Sequence, residues 1–465
     1  MTVLLDLTEV AVASADAIVH PTSLTLTAGR PLTILGETGS GKSLLAQAVM
    51  GTLPAGLRAE GGIRLLGQDV GSLSPRQRRA RWGRQISLLP QEPWLALDPT
   101  MKAAAQVAET YRHVAGSPPA EAAANARRDL RQLGLEGAEE RLPGQLSGGM
   151  AQRVAFAAAR ARGARVVIAD EPTSALDDDR RDEVVALLKR EVDDGGGLLT
   201  ITHDVAVARA LGGDVIVFRD GRVEESGPAA RVLTAPANPY ARRLLAAEPA
   251  AWPALPPRRT GGGGPVLRAE GLRKQRGGRV LFEDLSVTAE AGEVVGVCGP
   301  SGCGKSTLGD ICLGLLAADG GTVWRDPAAA RVRWQKLYQD PPAAFPPHVT
   351  LRQALTDVVR LHRRDWSEVE TLMARLRLVP ALLDRHPRSV SGGELQRLAI
   401  LRVLLVDPVF LFADEPTSRL DLMTQKETMD LLVGLARDRG CAVLLVSHDR
   451  ALVDKVCDRT VRLDH

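Results

Sequence analysis

The chain has 465 residues, 45% hydrophobic and 25% charged, which is enough apolar material for more than one buried core. A formal net charge of +3 supplies no field for a polyanion, so composition gives nucleic-acid binding no support. Cys298, Cys303, Cys312, Cys441 and Cys457 show no C-x-x-C spacing, which argues against a zinc cluster or a disulfide framework and for reduced thiols. The N-terminal MTVLLDLTEV lacks the basic region of a signal peptide, and no apolar run reaches the ~18 residues of a membrane span.

In chain order, residues 1–30 carry no Phe, Tyr or Trp. RPLTILG is a short apolar run ending in glycine, as a buried parallel strand should be, and KSLLAQAVMGTL follows with helical spacing. Between them stands GETGSGKS, residues Gly36, Glu37, Thr38, Gly39, Ser40, Gly41, Lys42 and Ser43. A strand, then G-x-x-x-x-G-K-S, then a helix is the context of a phosphate-binding P-loop. Glycines let backbone N–H groups close around phosphate oxygens, and the helix adds its positive end. Lys42 is expected to reach the β/γ-phosphates and Ser43 to ligate Mg²⁺. A purely structural glycine-rich turn is the competing reading.

The stretch from about 100 to 165 reads as helical and contains LSGGMAQR (Leu146–Arg153). VVIADEPTSALD follows, a buried strand that ends in two acids. Asp170 is expected to hold Mg²⁺, and Glu171 to polarise a water for attack on a γ-phosphate. Two merely exposed acids are the alternative. GLLTITHD is a further strand, and His203 at its end is expected to contact the γ-phosphate and the attacking water.

The same phrases then return in the same order. GPSGCGKS comprises Gly299, Pro300, Ser301, Gly302, Cys303, Gly304, Lys305 and Ser306, followed by Thr307. VSGGELQR stands at Val390–Arg397, FLFADEPTSRLD supplies Asp414 and Glu415, and LVSHD supplies His448. Ser306 and Asp414 are the second pair of expected metal ligands. PAAWPALPPRRTGGGGP separates the copies and reads as a linker, first stiff and then flexible. The expected division is 1–248 for a first domain, 249–265 for the Pro/Gly-rich linker and 266–465 for a second domain. Strands alternating with helices imply an α/β fold, with a parallel-sheet core in each P-loop NTPase domain and ligands at the carboxyl ends of the strands.

These motifs, covering nearly the whole chain, resemble two fused nucleotide-binding subunits of an ATP-binding-cassette (ABC) ATPase. The most specific element is the Ser-Gly-Gly signature phrase, which other P-loop ATPases lack. The resemblance implies ATP and Mg²⁺ as ligands and a head-to-tail pairing of the two domains within one chain. Ser391, Gly392 and Gly393 would then close on the ATP held by Lys42, and Ser147, Gly148 and Gly149 on the ATP held by Lys305. It also assigns Gln91 and Gln339 to the Q-loops, where glutamine reaches the metal and the attacking water, and sets Trp94 against a partner helix.

The family usually places an aromatic residue before the P-loop to stack on adenine. Residues 1–30 have none, while in the second copy Arg276 could stack by its guanidinium and Phe282 reads as core. Met150 stands where a polar residue is usual. APANPYARRLLAAEP (Ala235–Pro249) resembles the tail of the dipeptide, oligopeptide and nickel importer branch. That branch implies two integral-membrane permease subunits, a solute-binding protein behind them, and a peripheral position on the cytoplasmic face of the cell membrane. A soluble ABC ATPase without a permease, such as an accessory ATPase of phosphonate metabolism, is the second reading.

Overall fold

The computed structural model describes residues 2–90, 96–161, 163–173, 178–255, 264–300, 302–418 and 420–463, the side chains of 178–180 excepted. They form two compact units, Met1–Ala246 and Ala247–His465.

The first unit opens on β1 (Val3–Ala13) and β2 (Ala17–Thr27), which pair antiparallel. β3 (Leu32–Gly36) follows, then the helix Lys42–Met50, then β4 (Arg58–Leu65), β5 (Gln68–Asp69) and β6 (Ile86–Leu89). β7 (Val166–Asp170), β8 (Gly197–Thr202), β9 (Asp214–Arg219) and β10 (Arg222–Pro228) complete the strands. The main sheet runs β10-β9-β3-β8-β7-β6, and every neighbouring pair from β9 to β6 is parallel. A second, antiparallel sheet runs β2-β1-β4-β5. Val-Val-Ile-Ala of β7 is buried on both faces, which is why it reads as a continuous apolar run rather than an alternation.

The helix Lys42–Met50 lies between the sheets, and Leu45 and Val49 join one core with Leu5, Ile63, Ile168 and Phe218. Its ends follow from glycine: Gly41 before it and Gly51 after it take φ of 95° and 74°. The helical part comprises Ala103–Thr110, Pro119–Gln132 and Gly148–Arg160. It packs Val107, Leu130, Val154 and Phe156 against Val167 and Leu198 of the main sheet.

The second unit repeats the plan. β11 (Pro265–Arg276), β12 (Arg279–Glu290) and β14 (Gly320–Arg325) make an antiparallel sheet in the order β12-β11-β14. β13 (Val294–Cys298), β15 (Trp334–Leu337), β16 (Phe410–Asp414), β17 (Ala442–Val446) and β18 (Arg459–Arg462) make a parallel sheet in the order β15-β16-β17-β13-β18. The helical part holds Leu351–Leu361, Trp366–Arg375 and Gly392–Val406. Phe282 is core, 5% exposed.

The Pro/Gly-rich stretch is not free chain throughout. Trp252 is 4% exposed inside the second unit's core, and its indole N–H donates to the Ala247 carbonyl at 2.8 Å. A tryptophan buries too much apolar surface to be left on a tether, so this unit begins before the prolines and not after them. Pro265, at the far end of the stretch, already opens β11.

One packing detail separates the two cores. A Cβ on Gly309, in the helix Lys305–Leu313, would stand 2.2 Å from the Phe412 ring. In the first unit the matching positions are Ala46 and Ile168, both buried. Each core therefore pairs a small residue with a matching larger one. Gly309→Ala is expected to destabilise the second unit by about 1–3 kcal/mol through overpacking, outweighing the better helix propensity of alanine. Adding Phe412→Ile should restore most of the loss. Thermal unfolding, with the transition assigned by limited proteolysis, tests this, and a Gly309→Ala variant as stable as the parent would refute the packing argument.

Candidate functional site

In each unit the glycine-rich loop leaves a central strand of the parallel sheet and enters the helix it caps. Gly36 has no room for a side chain, because a Cβ would lie 2.1 Å from the Phe218 carbonyl oxygen on β9. Gly39 and Gly41 have φ of 84° and 95°, and Gly302 and Gly304 have 80° and 105°. Only glycine adopts such angles without strain, and the resulting turn points backbone N–H groups inward. Lys42 is 5% exposed, and its ammonium donates to the carbonyls of Gly36 at 2.8 Å and Glu37 at 2.6 Å. Lys305 repeats this with Gly299 at 2.7 Å and Pro300 at 3.0 Å. Ser301 lies outside the described residues. Cys303 is buried, and Thr307 sits in the first turn of the helix.

The Ser43 hydroxyl donates to Asp170 Oδ1 at 3.1 Å. Burial pushes the Asp170 carboxyl up to about 6; the bond from Ser43 opposes this without cancelling it. Asp414 is raised for the same reason against a bond from Ser306. A carboxyl so raised is one that a cation would return to its charged form. A hydroxyl, one carboxylate and a loop shaped for phosphate oxygens are hard-oxygen donors that suit Mg²⁺, which keeps few protein ligands and completes its shell with phosphate and water. Among the described residues no group of three or more His, Cys, Asp or Glu could hold a metal alone.

The next residue is strained in both units. Glu171 has φ of 47° and Glu415 of 49°, in the left-handed region where a non-glycine residue costs about 1–3 kcal/mol. Each is held there by its N–H, which donates across the sheet to Ile201 (2.8 Å) or Val446 (3.0 Å). The turn aims each carboxylate at the histidine on the neighbouring strand end. Glu171 Oε2 lies 2.9 Å from His203 Nδ1 and accepts from the Thr202 hydroxyl at 3.2 Å. Glu415 Oε1 lies 2.8 Å from His448 Nε2, and its Oε2 accepts from the Gln339 amide at 2.9 Å. The same acid–histidine pair is thus made through opposite ring nitrogens.

Burial alone would raise Glu171, but the charge and hydrogen bond of His203 outweigh it and hold the carboxyl low. Burial likewise works against a charged His203, and Glu171 outweighs it and raises the imidazole. Glu415 is lowered against burial by His448 and then by Gln339. The following aspartates fix the histidine turns. Asp204 accepts from the N–H groups of Ala206 and Val207, and Asp449 from that of Leu452.

In the second unit Gly302, Lys305, Gln339, Asp414, Glu415 and His448 line one cavity of about 330 Å³, with Arg276 in its wall. Gln91 and Trp94 lie outside the described residues. That unit's own signature residues, Ser391, Gly392 and Gly393, do not line the cavity. Ser147 and Ser391 are exposed N-caps of the helices Gly148–Arg160 and Gly392–Val406, accepting from the N–H of Met150 and Glu394, both at 3.3 Å. Gly148, Gly149, Gly392 and Gly393 form the first turns of those helices, whose ends carry a positive dipole. Glu394 completes a capping box on Ser391, while Met150 cannot do the same for Ser147. One partner was not foreseen from the motifs: the Tyr240 hydroxyl donates to Glu37 Oε1 at 2.8 Å.

Two parallel-sheet units, each joining a glycine-rich phosphate loop to an Asp-Glu strand end and a histidine turn, define a tandem P-loop ATPase. The chain belongs to the ABC transporter family, whose sequence profile matches residues 19–174 and 282–418. It is an ABC-type ATPase with two fused ATP-binding domains, related to import ATPases. It is 33% identical to the peptidoglycan transport ATP-binding protein YejF of Agrobacterium fabrum, over 97% of this chain and 88% of that one. It is 32% identical to the glutathione import ATP-binding protein GsiA of Escherichia coli O157:H7, over 95% of this chain and 81% of that one. Among solved structures, an RNase-L inhibitor has a similar fold, with a TM-score of 0.68 at 22% identity over 97% of this chain and 87% of that one.

Proposed function

We propose that this chain energises an ABC importer for peptide-containing solutes from the cytoplasmic face of the cell membrane. The observation that carries the reading is the doubled site: both units keep the buried lysine, the Ser–Asp pair, the strained glutamate and its histidine. Neither half has lost a catalytic part, so both sites hydrolyse ATP. The glycine loops hold the phosphates of ATP through backbone N–H groups and the lysines. Ser43 with Asp170, and Ser306 with Asp414, hold Mg²⁺, which when bound neutralises phosphate charge and polarises the terminal phosphoryl group. Glu171 and Glu415 orient and deprotonate the attacking water, and their strained backbone keeps each carboxylate at one place. His203 and His448 hold those carboxylates in that orientation. Gln339, on the other oxygen of Glu415, links the base to the loop after β15; the family resemblance assigns the first half's Q-loop position to Gln91. The exposed signature serines, capping helix starts that suit an anion, cap the ATP of the opposite domain in a head-to-tail pairing.

Peptidoglycan and glutathione, named for the relatives, both contain peptide, and that supports a peptide-containing solute over a nickel chelate. No feature favours a soluble ATPase without a permease. Among the described residues no helix is long and apolar enough to cross a membrane. In this reading two permease subunits, fed by a solute-binding protein, supply the membrane path. A tagged chain purified from detergent-solubilised membranes is expected to bring two polytopic proteins with it. Deleting its gene should abolish uptake of a labelled peptide. A chain that purifies without any membrane protein, from cells whose peptide uptake does not depend on it, would sink the importer reading.

A further inference from the structure

The segment after β10 returns to the first phosphate loop. Glu225, 8% exposed on β10, accepts the N–H groups of Ala237 at 3.1 Å and Asn238 at 2.9 Å. The Asn238 side chain accepts from the N–H of Tyr240 at 2.7 Å and donates to the Glu224 carbonyl at 3.0 Å. These bonds fasten the start of the helix Pro239–Ala246, which buries Tyr240, Ala241 and Leu244. Arg219, the last residue of β9, stacks over the Tyr240 ring at 4.9 Å from its centroid. The tyrosine is 4% exposed, and its hydroxyl reaches out of this frame to one acceptor, Glu37 Oε1.

Glu37 is a costly residue for a phosphate loop. Its backbone carbonyl accepts from Lys42 and from the Ser40 hydroxyl at 2.8 Å, so its peptide is part of the cradle. Its side chain carries the same sign of charge as a triphosphate. A carboxylate free to rotate there would repel the ligand and compete for the lysine. A buried hydroxyl that donates to it fixes its rotamer and disperses its charge. The second loop has Pro300 at this position and no carboxylate to restrain.

We infer that Tyr240 is a positioning residue for the first ATP site, tethering the Glu37 carboxylate so that the glycine loop accepts a nucleotide triphosphate. This rests on the reading that Gly36–Ser43 holds the phosphates of ATP. The two sites therefore differ in what supports them: the first depends on a hydrogen bond from its own tail, and the second does not.

The test is photolabelling of the full chain with an azido-ATP analogue and Mg²⁺, with labelled peptides assigned to residues 1–246 or 247–465. Tyr240→Phe keeps the ring and its stacking on Arg219 and removes only the donor. Half-saturation of first-half labelling should rise roughly tenfold, the scale of a lost hydrogen bond to a charged group, while second-half labelling stays at the parent level. Glu37→Gln in the Tyr240→Phe background should restore first-half labelling, because the free charge is gone. If Tyr240→Phe leaves first-half labelling unchanged, or if the double variant remains as weak as Tyr240→Phe, the tether is structural only and the inference fails. First-half labelling that survives Lys42→Ala would overturn the assignment of the ATP site itself, a distinct result.

Discussion

Replacing Glu171 and Glu415 together by glutamine is expected to lower ATP turnover by about 100-fold or more while nucleotide binding persists. General-base contributions are typically 10²–10⁴-fold, and glutamine removes the base without removing its shape. The substitution leaves the cradle untouched: Lys42, Lys305 and both Ser–Asp pairs contact other atoms. The backbone turn is also kept, since it is set by the glutamate N–H bonded to Ile201 or Val446. A glutamine carbonyl can still accept from Thr202, so the interior is not left with an unmet donor. What disappears is the charge that pairs with His203 and His448. The double variant should therefore retain Mg-ATP and accumulate in a nucleotide-loaded form. Turnover and equilibrium nucleotide retention, measured on one preparation, separate the outcomes. Hydrolysis near the parent rate would remove both glutamates from the mechanism, and loss of nucleotide binding would assign them to the phosphate cradle instead.

The second large effect concerns which residues share an ATP. In the proposed head-to-tail arrangement Lys42 works with Ser391, and Lys305 with Ser147. Lys42→Ala with Ser391→Arg then injures one site twice and leaves the other chemically whole. Lys42→Ala with Ser147→Arg injures both. Residues acting on one phosphate are non-additive, so the first pair should cost little beyond its worse member and the second should compound. Both serines are exposed helix caps, so arginine there has room, and the loss is about one hydrogen bond of cap, ~1 kcal/mol. Nucleotide trapped per chain is the better readout, because cooperation between sites can blur steady-state rates. One nucleotide trapped by the first pair and none by the second is the expected result. The reverse pattern would exclude the pairing.

Much of this chemistry is legible in residue order. A P-loop must be contiguous, because its glycines and lysine wrap a single group of phosphates, and a strand that ends in Asp-Glu carries its position with it. Duplication adds a check, since a motif that recurs in the same order is hard to read as chance. The helix caps are equally local: Ser147, Ser391, Asp204 and Asp449 each accept from residues two or three further on. Such features depend on neighbours in the chain, and a linear reading finds them.

Features that depend on distant neighbours are not written in any motif. Glu171 and Glu415 carry no local mark of a left-handed backbone; the donors that hold them there reach strands some thirty residues away, through register in the sheet. One histidine meets its glutamate through Nδ1 and the other through Nε2, although the surrounding phrases are nearly identical. Trp252 looks like part of a tether until a core is seen to close over it. The exchange of Ala46 and Ile168 for Gly309 and Phe412 preserves packing across a helix–sheet contact and is invisible to a motif. Tyr240 and Glu37 are joined across the fold by a hydrogen bond that neither residue type requires. Local backbone geometry and phosphate chemistry can be specified by consecutive residues, whereas orientation of an acid, burial of a ring and closure of a long loop are properties of packing, and packing exists only once the chain has folded.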